Sequence, residues 1–139
     1  MSTRAQTVML AVLTASAVYV GAWAAPFPRS FYDSFPGLNR TWVAGDGPYN
    51  EHLVRDVGAF YLALAVVGVL ALIWRERHVT LVVAAAWTTF SGPHLGYHAA
   101  HAGELDAFDA VAQVATLTGT LLLALLLLAG AARRTEEPR

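Results

Sequence analysis

The chain contains no cysteine and no lysine, and few charges of either sign. Without cysteine there is no disulfide, no thiolate metal site and no CxxC redox centre. Any bound metal must therefore be held by nitrogen and oxygen. All nine basic residues are arginines, and ten acids leave a net charge of −1, so nothing favours a nucleic-acid partner. Charged residues are only 14% of the 139 positions, well under the quarter of a soluble domain, while 56% are hydrophobic. Such a chain hides its apolar surface in a lipid bilayer. No glycine-flanked nucleophile elbow and no phosphate loop is present, which argues against nucleophilic or phosphoryl chemistry and leans away from an enzyme.

What is present is a series of long apolar runs. Thr7 to Ala25 (7–25) is long enough to span a hydrocarbon core. Arg4 before it and Ala22-Trp23-Ala24 at its end also fit a signal peptide. A retained helix is favoured by the small residues Thr14, Ala17, Gly21 and Ala25, spaced as in closely packed membrane helices. Residues 26–49 form an outer loop rich in aromatics and punctuated by proline and glycine, with one helical turn expected at Ser30 to Phe35. Its Asn39-Arg40-Thr41 matches a glycosylation triplet, relevant only in a eukaryote.

Asn50 is a good N-cap for a second span running to Trp74 (50–74). Arg75-Glu76-Arg77-His78 makes a polar turn, and Val79 to His101 (79–101) is the third span, expected to break at Gly92-Pro93. Gly103 fits a helix stop. Ala107 to Ala131 (107–131) is the fourth span, and 132–139 is a polar tail. The expected fold is all-α: an integral membrane four-helix bundle, up-down in topology, forming one domain over 1–139.

Arginine placement sets the orientation. Arg4, Arg75, Arg77, Arg133, Arg134 and Arg139 fall on one side and Arg29, Arg40 and Arg55 on the other, so both termini are expected in the cytoplasm of a bacterial inner membrane. On that reading His52, His94, His98 and His101 gather at the outer face with Glu51, Asp56, Glu104, Asp106 and Asp109.

His94, His98 and His101 stand at i, i+4 and i+7, one face of a helix. Three readings follow. In the first, His94 and His98, then His101 and His52, bind zinc, copper or iron, with Asp56 or Asp109 completing or orienting the site. In the second, the cluster moves protons beside a quinone or haem packed on Trp87, Phe90 and Tyr97. In the third, the histidines and acids only tie helix ends together, in a homo-oligomer or a larger membrane complex. Asp109, Gln113, Thr116 and Thr120 form a stripe on the fourth helix that should line a polar seam beneath the cluster.

The four-span layout, the long first outer loop, Asn50-Glu51-His52-Leu53-Val54-Arg55-Asp56-Val57-Gly58 and Pro93-His94 with Tyr97-His98 and His101 resemble small bacterial membrane proteins that are loosely DoxX-like. That resemblance implies a respiratory or thiol-redox accessory role and assigns no catalytic residue. The spacing His94-x-x-x-His98-x-x-His101 also resembles part of the histidine boxes of membrane di-iron hydroxylases. Those need about eight histidines and this chain has five, which speaks against a di-iron oxygenase.

Overall fold

The computed structural model describes residues 3–133, and the expected tail lies outside them from residue 134 on. The described residues are helical but for one minimal hairpin and short connecting turns. In order it forms α1 (Thr3–Ala24), α2 (Pro28–Ser34), β1 (Pro36–Gly37), β2 (Arg40–Thr41), a 3-10 turn at Ala44–Asp46, α3 (Glu51–Trp74), α4 (Arg77–His101), a second 3-10 turn at Ala102–Glu104, and α5 (Ala107–Arg133). Among the described residues, Arg4–Ala24, Glu51–Trp74 and Ala107–Arg133 are long and apolar enough to cross a membrane. Helix α4 is long enough but more polar, because Arg77, His78, four threonines or serines and three histidines interrupt its apolar residues.

Local chemistry starts and stops these helices. The Asn50 side chain accepts a hydrogen bond from the Leu53 N–H at 3.1 Å, capping α3 as its sequence position suggests. Asp106 does the same for α5, accepting from the N–H groups of Phe108 and Asp109, both at 3.0 Å. Helix α3 ends where Arg75 turns left-handed (φ 56°) and its N–H donates to Ala71 O. The break expected at Gly92-Pro93 does not occur. Helix α4 stays continuous through Pro93, since proline removes only one N–H and the flanking hydrogen bonds hold the helix.

Helix α1 packs along α3, and α4 along α5. The α1–α3 contact is close because small residues meet there. A Cβ on Gly21 would stand 2.8 Å from the Leu62 backbone nitrogen, and one on Gly58 or Gly68 would clash with Ala25 or Thr14. The stripe Thr14, Ala17, Gly21 and Ala25 is thus the face that α3 meets, with Ala17 fully buried. The two helix pairs come together at the end away from the 26–49 loop. Leu13, Leu64, Val83, Trp87 and Leu127 form a single apolar cluster there, drawn from all four long helices.

At the other end the loop folds back as a cap. Phe31 of α2 is buried against Ala24 and Val54. The Tyr19 hydroxyl donates to Pro36 O at 2.9 Å, Tyr32 to Gly47 O at 2.6 Å, and the Arg55 guanidinium to Ala25 O at 2.6 Å. The hairpin tip, Leu38-Asn39, takes two successive left-handed residues (φ 57° and 59°), the geometry of a tight two-residue hairpin turn. From β2, Arg40 reaches the start of α5. Its Nη1 lies 3.3 Å from Asp109 and 3.5 Å from Asp106, and its guanidinium sits over the Phe108 ring. The expected helical turn at Ser30 to Phe35 is present as α2, but the cap holds more structure than that turn alone.

Candidate binding cavity

Between the capped halves of the four long helices lies a cavity of about 1340 Å³. That exceeds the roughly 300–1,000 Å³ of ordinary small-molecule pockets. The helix pairs are packed together by the Trp87 cluster at one end and held apart by the aromatic cap at the other. Tyr19, Phe35, Trp42, Tyr61, Trp87 and Phe90 supply much of the apolar wall. Against it stand a few polar side chains: Asp46 from the cap, His94 and His98 from α4, and Gln113, Thr116 and Thr120 from α5. The stripe expected on the last helix does line a polar seam, apart from Asp109, which Arg40 draws to the cap.

The six residues that the sequence offers as metal ligands do not converge. His94 and His98 are neighbours, ring centroids 4.7 Å apart, and His94 also stacks on Phe90 at 4.9 Å. His101 turns back on its own helix, Nδ1 donating to Tyr97 O at 2.8 Å with its ring stacked on Tyr97. His52 and Asp56 pair with each other on an exposed turn of α3, Nε2 to Oδ2 3.2 Å. Asp109 is taken by Arg40. Among the described residues no group of three or more histidines and carboxylates is arranged to hold an ion.

Asp46, which sequence spacing did not single out, is the acid nearest to His98. Its Oδ1 stands 3.9 Å from Nδ1, an electrostatic contact too long for a hydrogen bond. Burial raises the Asp46 pKa above the usual carboxylate value. His98 and His101 pull it down and Glu104 pushes it up, but burial is the largest effect. Asp106 goes the other way, held below the ordinary value first by the Asp109 N–H and further by the Phe108 N–H and Arg40.

Several buried polar atoms around the cavity have no hydrogen-bond partner among the described residues: Trp42 Nε1, Trp87 Nε1, Ser91 Oγ and His98 Nδ1. Thr116 and Thr120 satisfy themselves, their hydroxyls donating to Ala112 O and Thr116 O at 2.7 and 3.0 Å. A wall that is mostly apolar, rich in aromatic rings and set with a few polar side chains, suits an amphipathic ligand better than a hydrated ion. No protein family matches the chain, and neither a characterised protein nor a solved structure was found to match it.

Proposed function

We propose that this chain is an integral membrane four-helix bundle that binds a lipophilic small molecule in its capped cavity, as a binding module rather than an enzyme. The observation carrying this reading is the cavity itself, about 1340 Å³, with an aromatic wall and a dedicated cap. In this reading α4 crosses the bilayer with the other long helices. It turns Ser91, His94 and His98 towards the cavity and packs against α3 and α5, with Val82 and Tyr97 left exposed on its outer face. Arginine placement supports a cap on the outside and both termini in the cytoplasm. A ligand then reaches the cavity from the bilayer or from beneath the cap.

The test is binding of the hydrophobic fluorophore N-phenyl-1-naphthylamine to the full chain in lipid nanodiscs, with empty nanodiscs as the blank. Leu117→Trp fills part of the cavity and should weaken binding at least tenfold while leaving the helical circular dichroism intact. Equal binding by the folded variant, or none above the blank by the native chain, would sink the reading.

One observation favours a second reading. The adjacency of His94 and His98, with Asp46 near by, provides nitrogen and carboxylate donors suited to zinc, copper or iron. Elemental mass spectrometry of protein purified without chelator tests it. Near-stoichiometric metal that His98→Ala abolishes is the expected result of this reading, and metal content unchanged by that substitution overturns it.

A further inference from the structure

We infer that the cavity takes a lipophilic organic cation, an ammonium group carrying apolar substituents, with Asp46 as its counter-charge. The inference rests on the lipophile-binding reading and deepens it by naming the charge of the ligand. It starts from the charges on the wall. Among the described residues that line the cavity there are two carboxylates, Asp46 and Glu51, and no arginine. Glu51 is neutralised by Arg55, whose Nε lies 2.9 Å from its Oε1. Arg29 is taken up by Asp33, and Arg40 by the acids at the start of α5. Asp46 is left with His98 at 3.9 Å, and an imidazole in its neutral form supplies no charge.

That carboxylate is held where water is scarce. Its side chain is only 29% exposed. Burial raises its pKa, the response of an anion that lacks a counter-charge. A cation entering the cavity supplies that charge, and opposite charges attract more strongly there than in bulk water.

The surroundings of Asp46 select the kind of cation. Trp42 stands one tight turn before it, and the Asp46 N–H donates to Val43 O at 3.1 Å to close that turn. Tyr32 is tied to the residue after it, its hydroxyl donating to Gly47 O at 2.6 Å. The Tyr32 ring in turn stands 5.2 Å from that of Tyr49. All three side chains line the cavity. Aromatic faces attract alkylated ammonium groups, whereas they cannot replace the water shell of a metal ion. Tyr32 and Tyr49 already hold one organic cation. The Arg29 guanidinium lies 5.8 Å and 5.0 Å from their ring centres, with its own charge balanced by Asp33. Further along the wall, Tyr61, Trp87, Phe90 and Leu117 accept apolar substituents.

Other ligand classes fit less well. A carboxylate or phosphate would meet Asp46 and find no arginine on the wall. An uncharged lipophile suits the apolar surface but leaves the Asp46 charge unanswered.

The test is equilibrium dialysis of the full chain at about pH 8, above the ordinary carboxylate and imidazole ranges. The chain is held in nanodiscs of digalactosyldiacylglycerol, a lipid with neither charge nor ammonium group, with a chelator present and empty nanodiscs as the blank. The ligands are benzyltrimethylammonium and neopentylbenzene, which has the same shape with carbon in place of nitrogen. Asp46→Asn should weaken binding of the cation at least tenfold and leave that of the hydrocarbon unchanged. Asp46→Glu, which keeps the charge, should retain most of the cation affinity. Cation binding that Asp46→Asn leaves unchanged, or loses only in step with the hydrocarbon, overturns the cation inference and leaves the lipophile reading standing. So does a native chain that binds the hydrocarbon alone. Binding of neither ligand also overturns the cation inference, and the further absence of fluorophore binding overturns both.

Discussion

Gly58→Ala is a demanding perturbation of this fold, because the added methyl has nowhere to go. Its Cβ would lie 2.8 Å from both Ala24 C and Ala25 Cα, and closer still to Ala25 N. Carbon atoms prefer about 3.5–4.0 Å. Backbone atoms cannot swing aside as a side chain can, so α1 must retreat from α3 by several tenths of an ångström or more. Forcing a methylene into a packed site costs about 1–3 kcal/mol, and a backbone clash belongs at the upper end. Replacing glycine with alanine in a helix returns at most about 1 kcal/mol. The net loss is therefore about 2 kcal/mol.

The damage should also be directional. Gly58 packs where α1 gives way to the cap, next to the buried trio Ala24, Phe31 and Val54. Gly96→Ala is the matched control, since a Cβ there meets nothing within 4 Å. Unfolding by sodium dodecyl sulfate titration, followed by tryptophan fluorescence, should place Gly58→Ala well below native stability and Gly96→Ala at or slightly above it. If the two variants unfolded at the same detergent fraction, close α1–α3 packing would not be a source of stability.

Three further outcomes follow from the cap. Arg40→Gln should speed protease cleavage in 26–49 severalfold. The exposed pair with Asp106 contributes little, but the substitution strips the mostly buried Asp109 carboxylate of its cation. Asp106→Ala should lower stability at neutral pH through loss of the α5 N-cap. Because the folded-state pKa of Asp106 is depressed, its contribution is present above the unfolded carboxylate pKa and lost as pH falls through the folded value, so native and variant stabilities should converge in acid. Asp46 has the opposite sign. Its folded pKa is raised, so the stability it contributes is full below the unfolded carboxylate pKa and lost as pH rises through the folded value. Protease cleavage of the cap should therefore quicken over that interval in the native chain and not in Asp46→Asn.

Much of the helical layout is legible in the chain. Apolar runs separated by Gly47-Pro48, Arg75-Glu76 and Gly103 place the four long helices to within a few residues, and Asn50 marks the start of α3 correctly. The small-residue stripe on α1 also finds its partner, because spacing of three and four is a property of one helix and needs no knowledge of the rest. The cap is where local patterns stop informing. Arg40 pairs with acids more than sixty positions away, and Asp46 reaches His98 only because the hairpin folds the loop back over the helices. No short-range period encodes either contact. The histidines show the same limit. Spacing puts His94, His98 and His101 on one face, yet His101 takes the Tyr97 carbonyl of its own last turn while His94 takes an aromatic neighbour. Which partner a side chain chooses depends on what the rest of the fold brings within reach.

The natural absence of cysteine makes the most direct test of the capped cavity simple. A single cysteine at Thr116 (Thr116→Cys) lies on the cavity wall, and one at Leu125 (Leu125→Cys) is exposed on α5 away from it. The measurement is the rate of N-ethylmaleimide labelling of each folded variant in nanodiscs, with and without 2-methylnaphthalene. A cavity open to small molecules predicts labelling at Thr116→Cys that slows at least severalfold when the hydrocarbon is added, and no such protection at Leu125→Cys. A cysteine at position 116 that labels no faster than the one at 125, or whose labelling the hydrocarbon leaves unchanged, would contradict it.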